Sequence, residues 1–489
     1  MKKIDKKEVI IFIVLLIITS AIYFPLLKGH YATDTYNIIN KGYEMYAITY
    51  SLNDGRPIMC LISLIAQKLN MPIMVYVIIL TAIALIVSNI SVIKLKNITV
   101  NYIEEKNKKT EYIILAIAYI IIFNFAYLEN LQFAECAIMS VSILLNIIAA
   151  QQIVEKKKNY ILKSIIISIL SIQFYQGTMN WLFTITFVLS LLKEKKINMQ
   201  VIKNVLFSVL CGALGCGVNM IQIKITGKIF GLTQSRMGSI KNIFSNINVI
   251  LENLNGTLQS TYGLFPKNML YIFLIVILIY SLIFMRKNKC NITLNLLTII
   301  LICIGTVYGP SLFTLSAFGT GRMAFSIGAM IGLMLLYIYC NLENNKIEEA
   351  ILYSIMFLYI FISIGSSIIV MEEHKIVNNL DKQESQTVGK WIEEYEEQNN
   401  IEVKNVVFMY NNNSKLFYSD LSSESALCYK SLVKEWSRIG ALNYYNNRKF
   451  VEQKNKSLYY QEYFSNKKWD KLDKEQLIFD GDTLYYCLY

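Results

Sequence analysis

Residues 9–27 form a predominantly apolar run, and runs of similar character recur down the chain, as at 270–285. They approach or pass the roughly 20 apolar residues that carry a helix across a bilayer. That feature constrains the chain to membrane residence. The 489 residues are 54% hydrophobic, above the roughly 45–50% of soluble domains. With 5 prolines and 17% charged residues, disorder is excluded over most of the length.

The formal charge of +12 would fit a nucleic-acid binder if it were spread over one face. Instead the lysines cluster between apolar runs, at 2–3, 6–7, 106–109, 156–158, 193–196 and 286–289. Such clustering sets membrane topology, so no nucleic-acid partner is expected. The 9 cysteines show no CxxC pair and no metal-ligand spacing, and no metal or cofactor is expected. Most lie in apolar runs and read as small core residues. Cys428 and Cys487 share the polar tail, where a disulfide between them is an open alternative.

The first apolar run is too long for a signal peptide and lacks a small-residue cleavage site, so it reads as an uncleaved helix. Lysine placement puts the N-terminus in the cytoplasm. Segment 28–71 then lies outside, with two amphipathic helices at about 36–50 and 57–69 along the interface. Further spans are expected at about 72–93, 112–126, 136–153, 159–175, 177–192, 201–226, 269–285, 292–309, 323–340 and 350–370. The 127–135 stretch is a turn in this scheme, and 227–268 is a long outer loop. Residues 159–192 are read as two helices, because one would put Lys193, Lys195 and Lys196 outside. About eleven helices leave the C-terminus outside.

From about Glu372 the apolar runs shorten to strand length, as at 406–410 and 483–487, between charged helical stretches at 387–398 and 422–439. The expected fold is mainly α: a polytopic transmembrane helical bundle over 1–371 with a small extracytoplasmic α/β domain over 372–489.

In this topology Asp34, Asp54, Arg56, Glu129, Glu135, Tyr175, Gln176 and Arg322 all fall on the outer side, at separate helix junctions. Inner loops carry lysine and little else. A site at the outer surface would produce that asymmetry. Asp34 suits a general base, though it also suits the cap of a helix starting near Tyr36. Asp54 sits in a turn before Pro57 at a helix start. Arg56 and Arg322 match a phosphate bidentately, with interfacial anchoring as the alternative. Glu129 and Glu135 are either solvated loop acids or holders of sugar hydroxyls. Tyr175 and Gln176 offer stacking and amide hydrogen bonds at a helix turn.

The order of these elements resembles the polytopic glucosyl transferase II family, whose members include serotype-converting O-antigen glucosyltransferases. Ala32-Thr33-Asp34 after the first helix, Asp54-Gly55-Arg56-Pro57 before another, and Tyr175-Gln176 at a later helix end carry the likeness, over roughly residues 10–340. The resemblance implies a GT-C-like bundle with its reaction centre on outer loops. It implies a polyprenyl-phosphate-sugar donor, Asp34 as catalytic carboxylate with Asp54 next, and Arg56 and Arg322 on the phosphate. The tail offers no motif to match.

The expected activity is therefore inverting transfer of a sugar, with glucose the first choice, to a cell-surface polysaccharide or cell-wall polymer at the plasma membrane's outer face. No nucleotide-binding motif appears, which fits a lipid-linked donor. A surface-glycan acyltransferase would want a histidine base, and only His30 and His374 are present. A lipid-linked glycan flippase would favour charge near the bilayer midplane, where these helices carry almost none.

Overall fold

A computed structural model describes residues 6–103, 107–232, 243–285, 289–309, 312, 320–342, 345–410, 413–419, 421–454 and 459–489. The basic runs at 2–3 and 286–288, and Lys106, lie outside the described residues. The chain is mainly helical with one small sheet.

The first apolar run divides. Helix α1 (Lys6–Ile22) stops before Pro25, and the chain resumes as the short α2 (Phe24–Leu27), since proline removes a backbone donor. The two expected amphipathic helices are α3 (Thr33–Tyr46) and α4 (Pro57–Lys68), joined by a π-turn at Ala47–Leu52. Helix α3 begins before position 36 and kinks at Gly42, whose φ of 80° suits glycine.

Helix α5 (Ile73–Val100) leads to α6 (Lys108–Ile122), α7 (Phe125–Gln132) and α8 (Cys136–Glu155). Here an expectation fails: 127–135 is not an exposed turn. The Asn124 side chain accepts the Ala126 N–H at 2.9 Å, capping a new helix bent 52° from α6. Every residue of α7 is buried.

Helices α9 (Tyr160–Phe174) and α10 (Met179–Glu194) are separate, broken where Tyr175 turns extended. Next come α11 (Met199–Phe230) and α12 (Ile243–Ser260). The expected loop at 227–268 is thus largely helical where described, with 233–242 outside the described residues. Helices α13 (Met269–Ile283), α14 (Lys289–Tyr308), α15 (Phe325–Cys340) and α16 (Lys346–Asn399) follow.

Among the described residues, five helices are long and apolar enough to cross a membrane: α5, α8, α11, α14 and α16. The bent α6–α7 pair makes a sixth if counted as one span. Helices α9, α13 and α15 are apolar but shorter. Outward-facing Ile13 and Ile17 on α1, Leu206 and Leu210 on α11, and Phe357 and Phe361 on α16 are exposed, an apolar surface suited to lipid. One end of the bundle gathers the lysines: Lys7 pairs with Glu111 at 2.6 Å, and Lys109 with Glu349 at 2.5 Å.

Helix α16 runs unbroken for 54 residues, about 80 Å at 1.5 Å per residue. No Pro or Gly interrupts it between 366 and 388, so it carries straight past position 371 into the C-terminal region. There β1 (Asn405–Tyr410), β2 (Val451–Glu452), β3 (Leu477–Asp480) and β4 (Thr483–Leu488) form a sheet in the order β2-β1-β4-β3. Strand β1 is parallel to β2 and β4, and β3–β4 is an antiparallel hairpin.

The charged stretch 422–439 is largely irregular rather than helical. Carboxylates on α16 take its backbone donors instead: the N–H of Ser423 donates to Glu373 at 2.8 Å and that of Ser431 to Asp381 at 3.2 Å. Helix α17 (Arg438–Asn446) starts only afterwards. It packs on α3, where the Tyr36 and Tyr445 hydroxyls meet at 2.7 Å. Gly440 lies so close to the Tyr36 carbonyl that a Cβ would collide with it. Cys428 and Cys487 are both buried free thiols.

Beneath the sheet, on the polar part of α16, Asp381 is fully buried beside Glu384. The Tyr418 hydroxyl lies 3.0 Å from an oxygen of each. Burial pushes the Asp381 carboxyl up to about 7, with the Glu384 charge adding to it against hydrogen bonds from Ser431 and Tyr418. A carboxyl raised on folding keeps a proton that the unfolded chain releases above about pH 4. Stability should therefore fall as pH rises from about 4 to 7. The thermal inactivation midpoint in detergent is expected to drop across that window, and Asp381→Asn should flatten the drop. An unchanged pH slope in Asp381→Asn would assign the dependence to other groups.

Candidate active site

Asp34 lies in the first turn of α3, where the positive end of the helix dipole favours an anion. It does not cap the helix. Ala32 occupies the cap position, and its N–H donates to Thr35 Oγ1 at 3.2 Å. Nor does Asp54 cap α4, whose cap residue is Arg56 with no side-chain bond to the helix.

Arg56 leaves its turn to pair with Glu135, between α7 and α8, and lies 3.6 Å from Asp54. Tyr46 on α3 donates to the other Glu135 oxygen at 3.0 Å. Burial alone would raise the Glu135 carboxyl, but the Arg56 charge and hydrogen bond, with Tyr46, hold it below the ordinary value. Burial likewise opposes the Arg56 charge, and Glu135, Tyr175 and Asp54 more than restore it. Glu135 is thus an ionised partner, only 5% exposed, and not a loop acid in solvent.

Glu129, 2% exposed on α7, faces the backbone N–H groups of Gly321 and Arg322. A Cβ on Gly321 would strike its Oε2, so a side chain there would displace the carboxylate. Arg322 stacks over the Phe133 ring at 4.4 Å. Burial opposes its charge and Tyr175, Glu129 and Asp34 favour it, yet among the described residues Arg322 forms no ion pair. Phe318 and Gly319, just before it, lie outside the described residues.

These groups converge. A cavity of about 420 Å³ is lined by Asp34, Asp54, Arg56, Glu129, Glu135 and Arg322, drawn from four separated stretches of chain. Tyr175 and Gln176 stand behind the wall rather than on it. The Arg56 guanidinium lies 5.1 Å from the Tyr175 ring centre. The Gln176 amide donates to the carbonyls of Asp54 and Gly55 at 2.6 and 2.9 Å, holding the turn whose Gly55 has φ 74°.

The model of the family described as Glucosyl transferase GtrII matches residues 23–339. The chain belongs to this family. A search of curated proteins finds no match. The match takes in every wall residue from Thr33 to Arg322 and stops short of the C-terminal region. This glucosyl transferase family member nevertheless closes its cavity with that region, through Glu424, Ala426, Tyr429 and Trp436. Those residues, with Asn37, Tyr50 and Tyr262, were not anticipated; the aromatics were visible only as part of a chain with 33 tyrosines. His30 and His374 stay off the wall. The His30 ring nitrogens lie 3.2 and 3.1 Å from the Leu26 and Gln132 carbonyls.

Proposed function

We propose that the protein transfers a sugar, glucose by preference, from a polyprenyl-phosphate donor to a cell-surface glycan at the outer face of the plasma membrane. The observation that carries this is the single cavity holding carboxylates and two arginines together. The N-terminus and the lysine-bearing end face the cytoplasm, and the cavity and the C-terminal domain from about residue 372 face outward. The helices that are short by length complete a GT-C-like bundle of about eleven.

In the reaction, Asp34 takes the proton of an acceptor hydroxyl as its oxygen attacks the anomeric carbon. The bond from that carbon to the phosphate oxygen breaks, with inversion, and the lipid phosphate leaves. Arg322, without an ion pair of its own among the described residues, receives the phosphate charge. The Arg56 Nε and Thr320 Oγ1, both buried and without hydrogen-bond partners among the described residues, supply further donors. Asp54 is the second carboxylate, and Glu129 shapes the Gly321–Arg322 turn. The burial of both histidines away from the cavity favours this chemistry over acyl transfer.

Arg322→Ala tests the phosphate assignment. Losing a charged hydrogen-bond donor costs about 1.5–3 kcal/mol, so donor affinity should fall roughly ten- to a hundredfold. Arg322→Lys should restore part of it, since an ammonium lacks the fork. Unchanged binding of purified polyprenyl-phosphate glucose to Arg322→Ala would remove Arg322 from the phosphate site.

A further inference from the structure

A second, larger cavity of about 1330 Å³ opens between α3 and the β2 edge of the sheet. It adjoins the first. Asn37, Tyr50 and Trp436 line both, so the two volumes meet along one wall. Its size exceeds the roughly 300–1,000 Å³ of pockets that hold one small molecule, which points to an extended ligand. Trp436 stands at the junction with 45% of its surface exposed, although large aromatics are normally buried or in contact with something. Asn37 is 4% exposed, and its Oδ1 has no hydrogen-bond partner among the described residues. An orphaned amide oxygen is costly unless a ligand or water satisfies it.

The far side of the groove carries Tyr460, Gln453 and Gln461. Flat rings with amide groups between them suit a hydroxyl-rich chain, whose C–H faces stack on rings while its hydroxyls bond to amides. Lys41, Arg438 and Lys454 line the same groove with Glu435 and Glu452, and Arg438 pairs with Glu452 at 2.5 Å, so the lining is close to neutral.

We infer that this groove holds the acceptor as an extended saccharide chain, several sugar units long, and feeds its reactive hydroxyl past Asn37 and Trp436 to Asp34. The C-terminal region, which the family model does not cover, thereby selects the acceptor. The inference rests on the transferase proposal for the identity of the occupant, while the groove's affinity for glycan is measured without any transfer.

The probe is a size-fractionated set of oligosaccharides released by mild acid from the surface polysaccharide of the producing cells. Binding to the full-length protein in detergent is read by tryptophan fluorescence and by saturation-transfer NMR. Long fragments should bind wild type, and Trp436→Ala should weaken them about tenfold or more, as loss of an aromatic anchor does. Trp436→Phe should recover most of that affinity. Tyr460→Ala should weaken long fragments but not the shortest ones, because it lines only the second cavity. Equal binding of long fragments to wild type, Trp436→Ala and Tyr460→Ala, with all three equally stable, would overturn the groove assignment. So would an extended peptide that binds in place of the fragments and is lost in the same variants. If the fragments bind as expected but no sugar is ever transferred to them, the groove stands and the transferase chemistry falls.

Discussion

Asp34→Asn is expected to slow sugar transfer about 10²–10⁴-fold, the usual contribution of a general base, while insertion and donor binding stay intact. The geometry makes the test clean. Capping is done by Ala32 and Thr35, so the amide removes no cap, and it keeps the size of the carboxylate. What it cannot do is take a proton. Glu135 is committed to Arg56 and Tyr46, and Glu129 to the backbone at Gly321 and Arg322. Near-normal turnover in Asp34→Asn, measured with purified donor in vesicles, would therefore move the base to Asp54.

Arg56→Ala should do something different, and its first effect is on folding. Removing it leaves Glu135 buried without its paired charge, supported only by the Tyr46 hydrogen bond and the Arg322 charge. Breaking a buried pair by deleting one partner typically costs about 3–5 kcal/mol, a large part of a domain's net stability. A lower melting temperature in detergent and a poor yield are expected. Adding Glu135→Gln should recover much of that stability, because the orphaned charge is then gone. Such rescue concerns the pair alone, so turnover should stay low in the double variant. A stable Arg56→Ala that binds donor normally would show that the pair neither holds the wall nor meets the phosphate.

Much of this site is legible in the sequence because its charged residues have so little company. Asp34, Asp54, Arg56 and Arg322 are isolated among apolar runs, and a charge beside a membrane helix needs a partner. What could not be read is which partner each one takes. The pairing of Arg56 with Glu135 joins residues 79 apart, and no periodicity records it. The 127–135 stretch reads as a turn because Glu129, Asn130 and Gln132 suggest solvent, whereas in α7 these polar side chains are buried with all the rest; only the Asn124 cap marks the helix. Helix α16 looked like two pieces because its surroundings change from lipid-facing to sheet-facing near position 371, while its backbone does not. Trp436 and Tyr429 were invisible as wall residues for a simpler reason. Trp436 lies two residues before α17, which docks on α3 some 400 residues earlier in the chain, and Tyr429 follows a turn that packs on α16 and α7.

The most direct measurement reconstitutes the wild-type protein in vesicles with purified polyprenyl-phosphate glucose and the long surface-glycan fragments, then determines product linkage by NMR. The account predicts glucose joined to the fragments with its anomeric configuration inverted relative to the donor, and loss of that product in Asp34→Asn. Donor lipid carried across the bilayer with its sugar still attached, and no glycan product, would contradict it.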